Sequence, residues 1–297
     1  MNAAVDPATL EPDLARRFGG LERLYGEAAY RRIRAARIAV VGLGGVGSWV
    51  AEALARHGVA ALWLIDLDHV AESNINRQVQ ALGATVGQAK AVALAQRIAD
   101  IHPGCEVHAV EEFVDAEHWP GLVNGPIDVL VDACDEVRAK AVLAAWGRAT
   151  GVPVVCVGAA GGKRRPQAVE VADLAEVSHD PLLATLRQRL RQQHGAPRGD
   201  VRRSAGRGTG RSTVVPIGLT CVFSRETVQA PPVCRTDPAK GELAPPQAGG
   251  SALAAATDGS LNCHGYGSSV TVTATFGMVA AQAALDALLA KPLEPGL

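Results

Sequence analysis

The chain is 297 residues long, 48% apolar but only 4% aromatic, with a formal net charge of −1. Such a balance provides no global field for nucleic acid, so any RNA contact must come from a local basic patch. The six cysteines are scattered without a CxxC pair, which argues against a disulfide framework and a four-cysteine zinc site. The eight histidines show no HxxxH spacing for a histidine metal site, and no basic-then-apolar leader opens the chain.

Residues 1–30 read as an N-terminal arm with a short helix. Residues 31–175 read as a Rossmann-like region. Strands are predicted at Arg37–Val41, Ala61–Ile65, Glu106–Val110, Ile127–Val131 and Val152–Val157, and helices at Ser48–His57, Gln88–Ile101 and Val137–Ala149. The helix at 88–101 carries apolar residues at Ala91, Leu94, Ala95 and Ile98, a helical period, and stops at His102-Pro103-Gly104. Strands joined by helical crossovers predict an α/β fold with a right-handed, doubly wound, mainly parallel sheet.

The pattern then changes. A strand at Ala168–Val171 precedes residues 176–297, which read as an extension of the same domain with an added mixed or antiparallel part. Its elements are a helix at Pro181–Gln193, a strand near Leu219–Phe223 and a final helix. Residues 195–212 set Arg198, Arg202, Arg203, Arg207 and Arg211 against the single Asp200 among glycines, the composition of a mobile basic loop. The apolar stretch Val270–Ala290 holds Thr271, Thr273, Thr275, Gln282 and Asp286, costly groups in lipid. It is expected to be a buried helix rather than a membrane span, and the protein to be cytoplasmic, without a membrane partner.

The first chemical motif is Gly42-Leu43-Gly44-Gly45-Val46-Gly47, between a strand and a helix. Its glycines let the backbone approach phosphate closely, and the amides at the helix start favour an anion. Asp66, at the end of the second strand, stands where a ribose ligand is expected. This much suits a dinucleotide as well as ATP. Downstream come Ser73-Asn74-Ile75-Asn76-Arg77-Gln78, Gly87-Gln88-Ala89-Lys90 and Asp132-Ala133-Cys134-Asp135. Arginine, lysine and a metal-binding aspartate converging on one crevice suit an adenylating site, where charge builds on the α-phosphate and on departing pyrophosphate. Hydride transfer needs no such clamp.

The combination GxGGxG, DxDxVxxSNxNRQ, VGxxK and DxxD resembles the ubiquitin-activating-like adenylyltransferases of the ThiF/MoeB/HesA type. Within them, the chain is most similar to the tRNA threonylcarbamoyladenosine dehydratases. That likeness rests on Arg17-Phe18-Gly19-Gly20, Val46-Gly47-Ser48-Trp49, Val137-Arg138-Ala139-Lys140, Asp180-Pro181-Leu182-Leu183 and Cys221-Val222-Phe223-Ser224, among other segments from about residue 16 to 290. The resemblance implies ATP and Mg²⁺ as cofactors. It places Gly45 against the phosphates, Asp66 on the ribose, Asn74, Arg77 and Lys90 on the phosphates, and Asp135 on Mg²⁺. Arg17 would reach the nucleotide from a partner subunit, making a homodimer part of the site. A monovalent cation, K⁺ or Na⁺, is implied near Gly158–Gly162, and tRNA carrying threonylcarbamoyladenosine is the implied substrate. A cysteine desulfurase or sulfur-acceptor system is a further implied partner.

Cys263 lies in Asn262-Cys263-His264-Gly265, where a thiolate near a helix N-terminus invites a nucleophilic role by analogy with ubiquitin activation. Intramolecular ring closure makes such a nucleophile optional. Cys105, Cys134, Cys156 and Cys221 read as core residues. Asp68 serves either the ribose or metal, or caps the following turn. The rival readings are an adenylyltransferase for a ubiquitin-like sulfur carrier, an NAD-dependent oxidoreductase and a non-catalytic scaffold. The absence of CxxC pairs weighs against the first, the clamp against the second, and the full clamp set against the third.

Overall fold

The computed structural model describes residues 13–198, 214–229 and 266–291. Its chain order is α1 (Leu14–Tyr25), α2 (Glu27–Ala35), β1 (Arg37–Val41), α3 (Gly47–Arg56), β2 (Ala61–Ile65), α4 (Lys90–Ile101) and β3 (Glu106–Val110), then β4 (Val129–Asp132), α5 (Val137–Thr150), β5 (Val154–Val157), β6 (Val169–Asp173), α6 (Pro181–Gln193), β7 (Thr220–Ser224) and α7 (Val270–Ala290). The seven strands form one sheet in the order β3-β2-β1-β4-β5-β7-β6, parallel throughout except for the antiparallel β6–β7 pair. The α/β doubly wound sheet and its antiparallel addition are those expected from the sequence.

Because β1, β4 and β5 are buried on both faces, they read as unbroken apolar runs rather than alternating ones. One core layer packs α2, α3, α4 and α7 on one face, around Leu54, Leu62, Leu94 and Phe276. The other packs α5 and α6 on the opposite face, around Leu143, Leu186 and Phe223. The apolar α7 is long enough to cross a membrane by length and composition, but more than half of it is buried. It lies against α2 and α3 and beneath β4–β7.

Three local differences have physical reasons. β5 begins at Val154 rather than Val152, because Pro153 has no N–H to donate to a ladder. The β3–β4 connection is a run of turns over residues 111–128, not a helix; Pro120, Gly121, Gly125 and Pro126 lie within it, the poorest helix formers. The N-terminal segment contains two helices, and Phe18 is buried at their base, edge-on to His102 and beneath the Arg34 guanidinium.

The α3–α7 crossing depends on Gly277. A Cβ there would lie 2.6 Å from Trp49 Cβ and 2.7 Å from Val46 O. Alanine's better helix propensity returns at most about 1 kcal/mol, against about 1–3 kcal/mol for forcing a methyl into a packed contact. Gly277→Ala is therefore expected to be net destabilising. A urea titration should show a lower midpoint with an unchanged slope.

Candidate active site

The strand order reverses between β1 and β4, and a cavity of about 420 Å³ opens there over the C-terminal strand ends. This is the position at which open α/β sheets bind ligands. Gly42 leaves β1 with φ 82°, and a Cβ on it would lie 2.7 Å from Cys134 N. Only glycine lets the loop after β1 pass this close to the loop after β4. Gly42, Gly44 and Gly45 line the cavity. Gly47 instead begins α3, turned towards the Gly42 carbonyl.

Asp66, Asn74, Arg77, Lys90 and Asp135 all line the same cavity, brought there from four separate segments. Asp66 accepts the Leu43 N–H at 2.6 Å and the Asp68 N–H at 2.8 Å, so it braces both the glycine loop and its own turn. Burial raises its carboxyl pKa, an effect that Lys90 and those two donors only partly offset. Lys90, the buried first residue of α4, donates to Asp68 Oδ2 at 2.6 Å and lies 3.8 Å from Asp66 Oδ1. Asp68 is thus Lys90's ion-pair partner.

The Arg77 Nη1 donates to Ser73 O at 2.6 Å and to Asn76 Oδ1 at 3.0 Å, folding the side chain over its own turn. Its Nε is buried without a partner. Its stem packs on Gly45, where a Cβ would come within 3.2 Å of Arg77 Cγ and Cδ. Trp49 Nε1 donates to the Arg77 carbonyl at 2.9 Å and fixes the clamp segment to α3. A glycine cradle, an unpartnered buried guanidinium nitrogen and a buried lysine fit a polyphosphate.

Asp135 sits in the 133–136 loop, whose ends are tied down. The Ala133 N–H donates to Val41 O at 2.8 Å, and Glu136 caps α5 by accepting the Ala139 N–H at 2.6 Å. Among the described residues, no cluster of three or more His, Cys, Asp or Glu is placed to hold a metal ion. One carboxylate with substrate phosphates is nevertheless an ordinary donor set for Mg²⁺.

Arg17 is placed elsewhere. Its Nη1 donates to Asp100 O at 2.9 Å and Ile101 O at 2.7 Å, capping the C-terminal end of α4. Lys90 begins that helix, roughly 16 Å away at 1.5 Å per residue, so Arg17 does not meet this cavity. Cys263 and the arginines at 202, 203, 207 and 211 lie outside the described residues. Cys156 and Cys221 are buried, as expected of core residues, whereas Cys105 stands one residue before β3 and is half-buried. Cys134 also departs from a pure core role, since it lines the cavity and donates from Sγ to Asp132 Oδ1 at 2.9 Å. Burial and that carboxylate hold its thiol well above the ordinary range, so it is not a thiolate at neutral pH.

Sequence reasoning missed three features. Phe113, beyond β3, and Tyr266, before α7, line opposite flanks of the cavity; neither belongs to a phosphate-binding motif. The third is the buried pair of Asp132 and Lys140, Nζ to Oδ1 3.1 Å, at the base of the Asp135 loop. Burial opposes the lysine's charge, but Asp132 together with the neighbouring Cys156 and Cys134 sulfurs outweighs it, so the Lys140 pKa is raised and the lysine stays protonated. The paired spacing of an aspartate at a strand end and a lysine eight residues on was its only signal.

The ThiF family model matches residues 16–296. The chain belongs to the ThiF family. It is 41% identical over 285 residues to the tRNA threonylcarbamoyladenosine dehydratase of Escherichia coli K12, covering 94% of this chain and 96% of that protein. It is 34% identical to the Haemophilus influenzae enzyme of the same name, covering 93% and 94% of the two chains. Among solved structures it is similar to the E. coli dehydratase in complex with ATP, with a TM-score of 0.73 and 38% identity over 95% of this chain and 98% of that one. The AMP complex of that enzyme superposes with the same TM-score and 37% identity, over the same shares of the two chains.

Proposed function

We propose that this ThiF-family protein is an ATP-dependent tRNA threonylcarbamoyladenosine dehydratase. The observation that carries the reading is the convergence of the glycine loop, Asp66, Arg77 and Lys90 on one switch-point cavity, in a chain resembling such dehydratases along nearly its whole length. In this reading Asp66 holds the ribose, and the glycine-loop amides with Asn74, Arg77 and Lys90 hold the triphosphate. Asp135 holds Mg²⁺, which when bound supplies positive charge to the phosphates.

The free carboxylate of threonylcarbamoyladenosine, next to the anticodon, attacks the α-phosphorus of ATP. A carboxylate–phosphorus bond forms, the α–β bridging bond breaks, and pyrophosphate leaves with that electron pair. Arg77 and Lys90 neutralise the charge developing on the departing group, the kind of preplaced contact that lowers such barriers most. The carbamoyl group of the same molecule then attacks the acyl carbon, losing a proton and expelling AMP. The net change is loss of one water from the modified nucleoside. Both reacting groups belong to one molecule, so geometry supplies a high effective molarity and an enzyme nucleophile is not required.

Four further elements of the proposal rest on the resemblance: a K⁺ or Na⁺ ion near Gly158–Gly162, a homodimer, a sulfur-transfer partner and a cytoplasmic location. Arg17 would serve the cavity of a second copy; its placement at the far end of α4 from Lys90 supports supply in trans.

The direct test is mass spectrometry of anticodon-loop nucleosides after incubating tRNA with protein and ATP. The expected result is a mass decrease of one water, with nucleotide-dependent pyrophosphate release. No change in the nucleoside would sink the reading, and adenylation of a sulfur-carrier protein instead would favour its rival. Arg77→Ala and Lys90→Ala should each lower pyrophosphate release on the order of a hundredfold while circular dichroism stays unchanged. Cys263→Ser should retain ring-closing activity; accumulation of adenylate without cyclised product would make the thiol a required intermediate.

Replacing Arg202, Arg203, Arg207 and Arg211 with Gln should weaken tRNA binding and leave ATP binding intact. Each lost phosphate contact should flatten the salt dependence by up to about one unit of log–log slope. An unchanged slope and affinity would assign RNA binding to another surface. The helix bearing Arg187, Arg189 and Arg191 is a poorer candidate than its sequence suggests. Arg187 donates to Leu174 O and Val177 O, and Arg191 to Pro197 O, so both are engaged within the chain.

A further inference from the structure

Phe113 and Tyr266 are the aromatic side chains that line the cavity among the described residues, in a chain with only 4% aromatics. They stand on opposite flanks. Phe113 follows β3, beside Asp66 at the end of β2. Tyr266 stands over Gly161, beyond the end of β5, where a Cβ built on that glycine would lie 3.7 Å from Tyr266 Cβ. β3 and β5 are separated by four intervals of the sheet, roughly 19 Å at the usual strand spacing. The glycine loop and the phosphate clamp lie between them.

With the ribose on Asp66, one nucleotide accounts for the β2–β3 side of this span, the glycine loop and the clamp. The β5 flank is left for the molecule that attacks the α-phosphate. That flank is also built to hold its shape. The Gly162 N–H donates to Gly267 O at 2.9 Å, and Asn76 Nδ2 donates to Ser268 O at 3.2 Å. The segment 266–268 is therefore strung from the β5 loop to the residue beside Arg77. The Gln229 N–H donates to Gly162 O at 2.9 Å and buttresses it from behind. A half-buried ring on such a strap is pre-organised and loses little freedom when it is covered.

We propose that Tyr266 is the stacking platform for the base of the acceptor nucleoside, and so a specificity residue for the tRNA substrate rather than for ATP. This rests on the dehydratase reading above. An unpaired base in an anticodon loop can be splayed out, and proteins hold such bases on aromatic faces. Seating the base against Tyr266 would leave its carboxylate-bearing arm directed towards the clamp along the strap.

The experiment measures the apparent KM for tRNA carrying threonylcarbamoyladenosine, read by pyrophosphate release, and the affinity for a non-hydrolysable ATP analogue by calorimetry. Removing a base-stacking ring costs on the order of tenfold or more in affinity, so Tyr266→Ala should raise KM by that factor and leave the analogue's affinity unchanged. Tyr266→Leu, which keeps apolar bulk without a π-face, should remain impaired. Tyr266→Phe, which keeps the ring, should recover most of the loss. An unaltered KM in Tyr266→Ala, full recovery by Leu, or a matching loss of analogue affinity would overturn the proposal. If the unaltered protein releases no pyrophosphate with the modified tRNA, the dehydratase reading fails and this inference falls with it. A functional enzyme indifferent to Tyr266 sinks the stacking role alone.

Discussion

Asp132 and Lys140 are both fully buried where the strand order reverses, with Nζ 3.1 Å from Oδ1. Removing two charges from water is expensive, and in most proteins such a pair roughly breaks even against an apolar replacement. Net stability is therefore not a sufficient reason for its presence. Its effect is positional. Lys140 also donates to Val157 O at 2.8 Å, and the other oxygen of Asp132 accepts from Cys156 Sγ at 3.3 Å. One ion pair thus joins the ends of β4 and β5 to the first turns of α5. The loop carrying Asp135 has both its roots in that knot. Losing either partner alone would leave an unpaired buried charge, with a typical cost of about 3–5 kcal/mol.

The glycine loop is built against the same knot. Val41 pairs with Asp132 in the β1–β4 ladder, so the residues that follow, Gly42 and Ala133, emerge side by side. The positive φ of Gly42 turns the chain away just short of the Cys134 backbone. From there Asp66 holds the Leu43 amide, and Lys90 closes the ring by pairing with Asp68. Asp66, Lys90 and the Arg77 segment are each tied to another part of the chain, while the Arg77 side chain is held over its own turn. A stiff constellation suits electrostatic stabilisation, because its dipoles and charges need not reorganise as the reaction proceeds.

Lys90 and Arg77 are both held by the protein itself, one by a carboxylate and the other by a carbonyl and an amide oxygen. In the proposed function a polyphosphate would compete with Asp68 for the first and with Ser73 O for the second. This exchange of one charged partner for another keeps the buried lysine paired throughout, avoiding the full cost of an isolated buried charge. In the proposed function it would favour a strongly anionic ligand, since a neutral one offers Lys90 no better partner than the carboxylate it already has.

The sequence by itself determined the elements and the motif-bearing part of the site. β1, β2, β3 and α6 fall at their predicted residues, because apolar runs and helical periods are local patterns that burial reads directly. Gly45, Asp66, Lys90 and Asp135 were legible as residues of one cavity because they lie just beyond a strand or at a helix start, where an α/β sheet presents functional groups. Asn74 and Arg77 were legible because their motif sits between Asp66 and Lys90. The tertiary structure alone decided three other matters. It paired Lys140 with Asp132, since an ion pair depends on which strand and helix meet. It placed Arg17 at the wrong end of α4 to serve its own cavity, a distance that no local pattern encodes. It also set Phe113 and Tyr266 on opposite flanks of one cavity, although they are far apart in the chain. A long-range neighbour is fixed by the order of strands in the sheet, and that order is settled by packing across the whole core rather than by any stretch of residues.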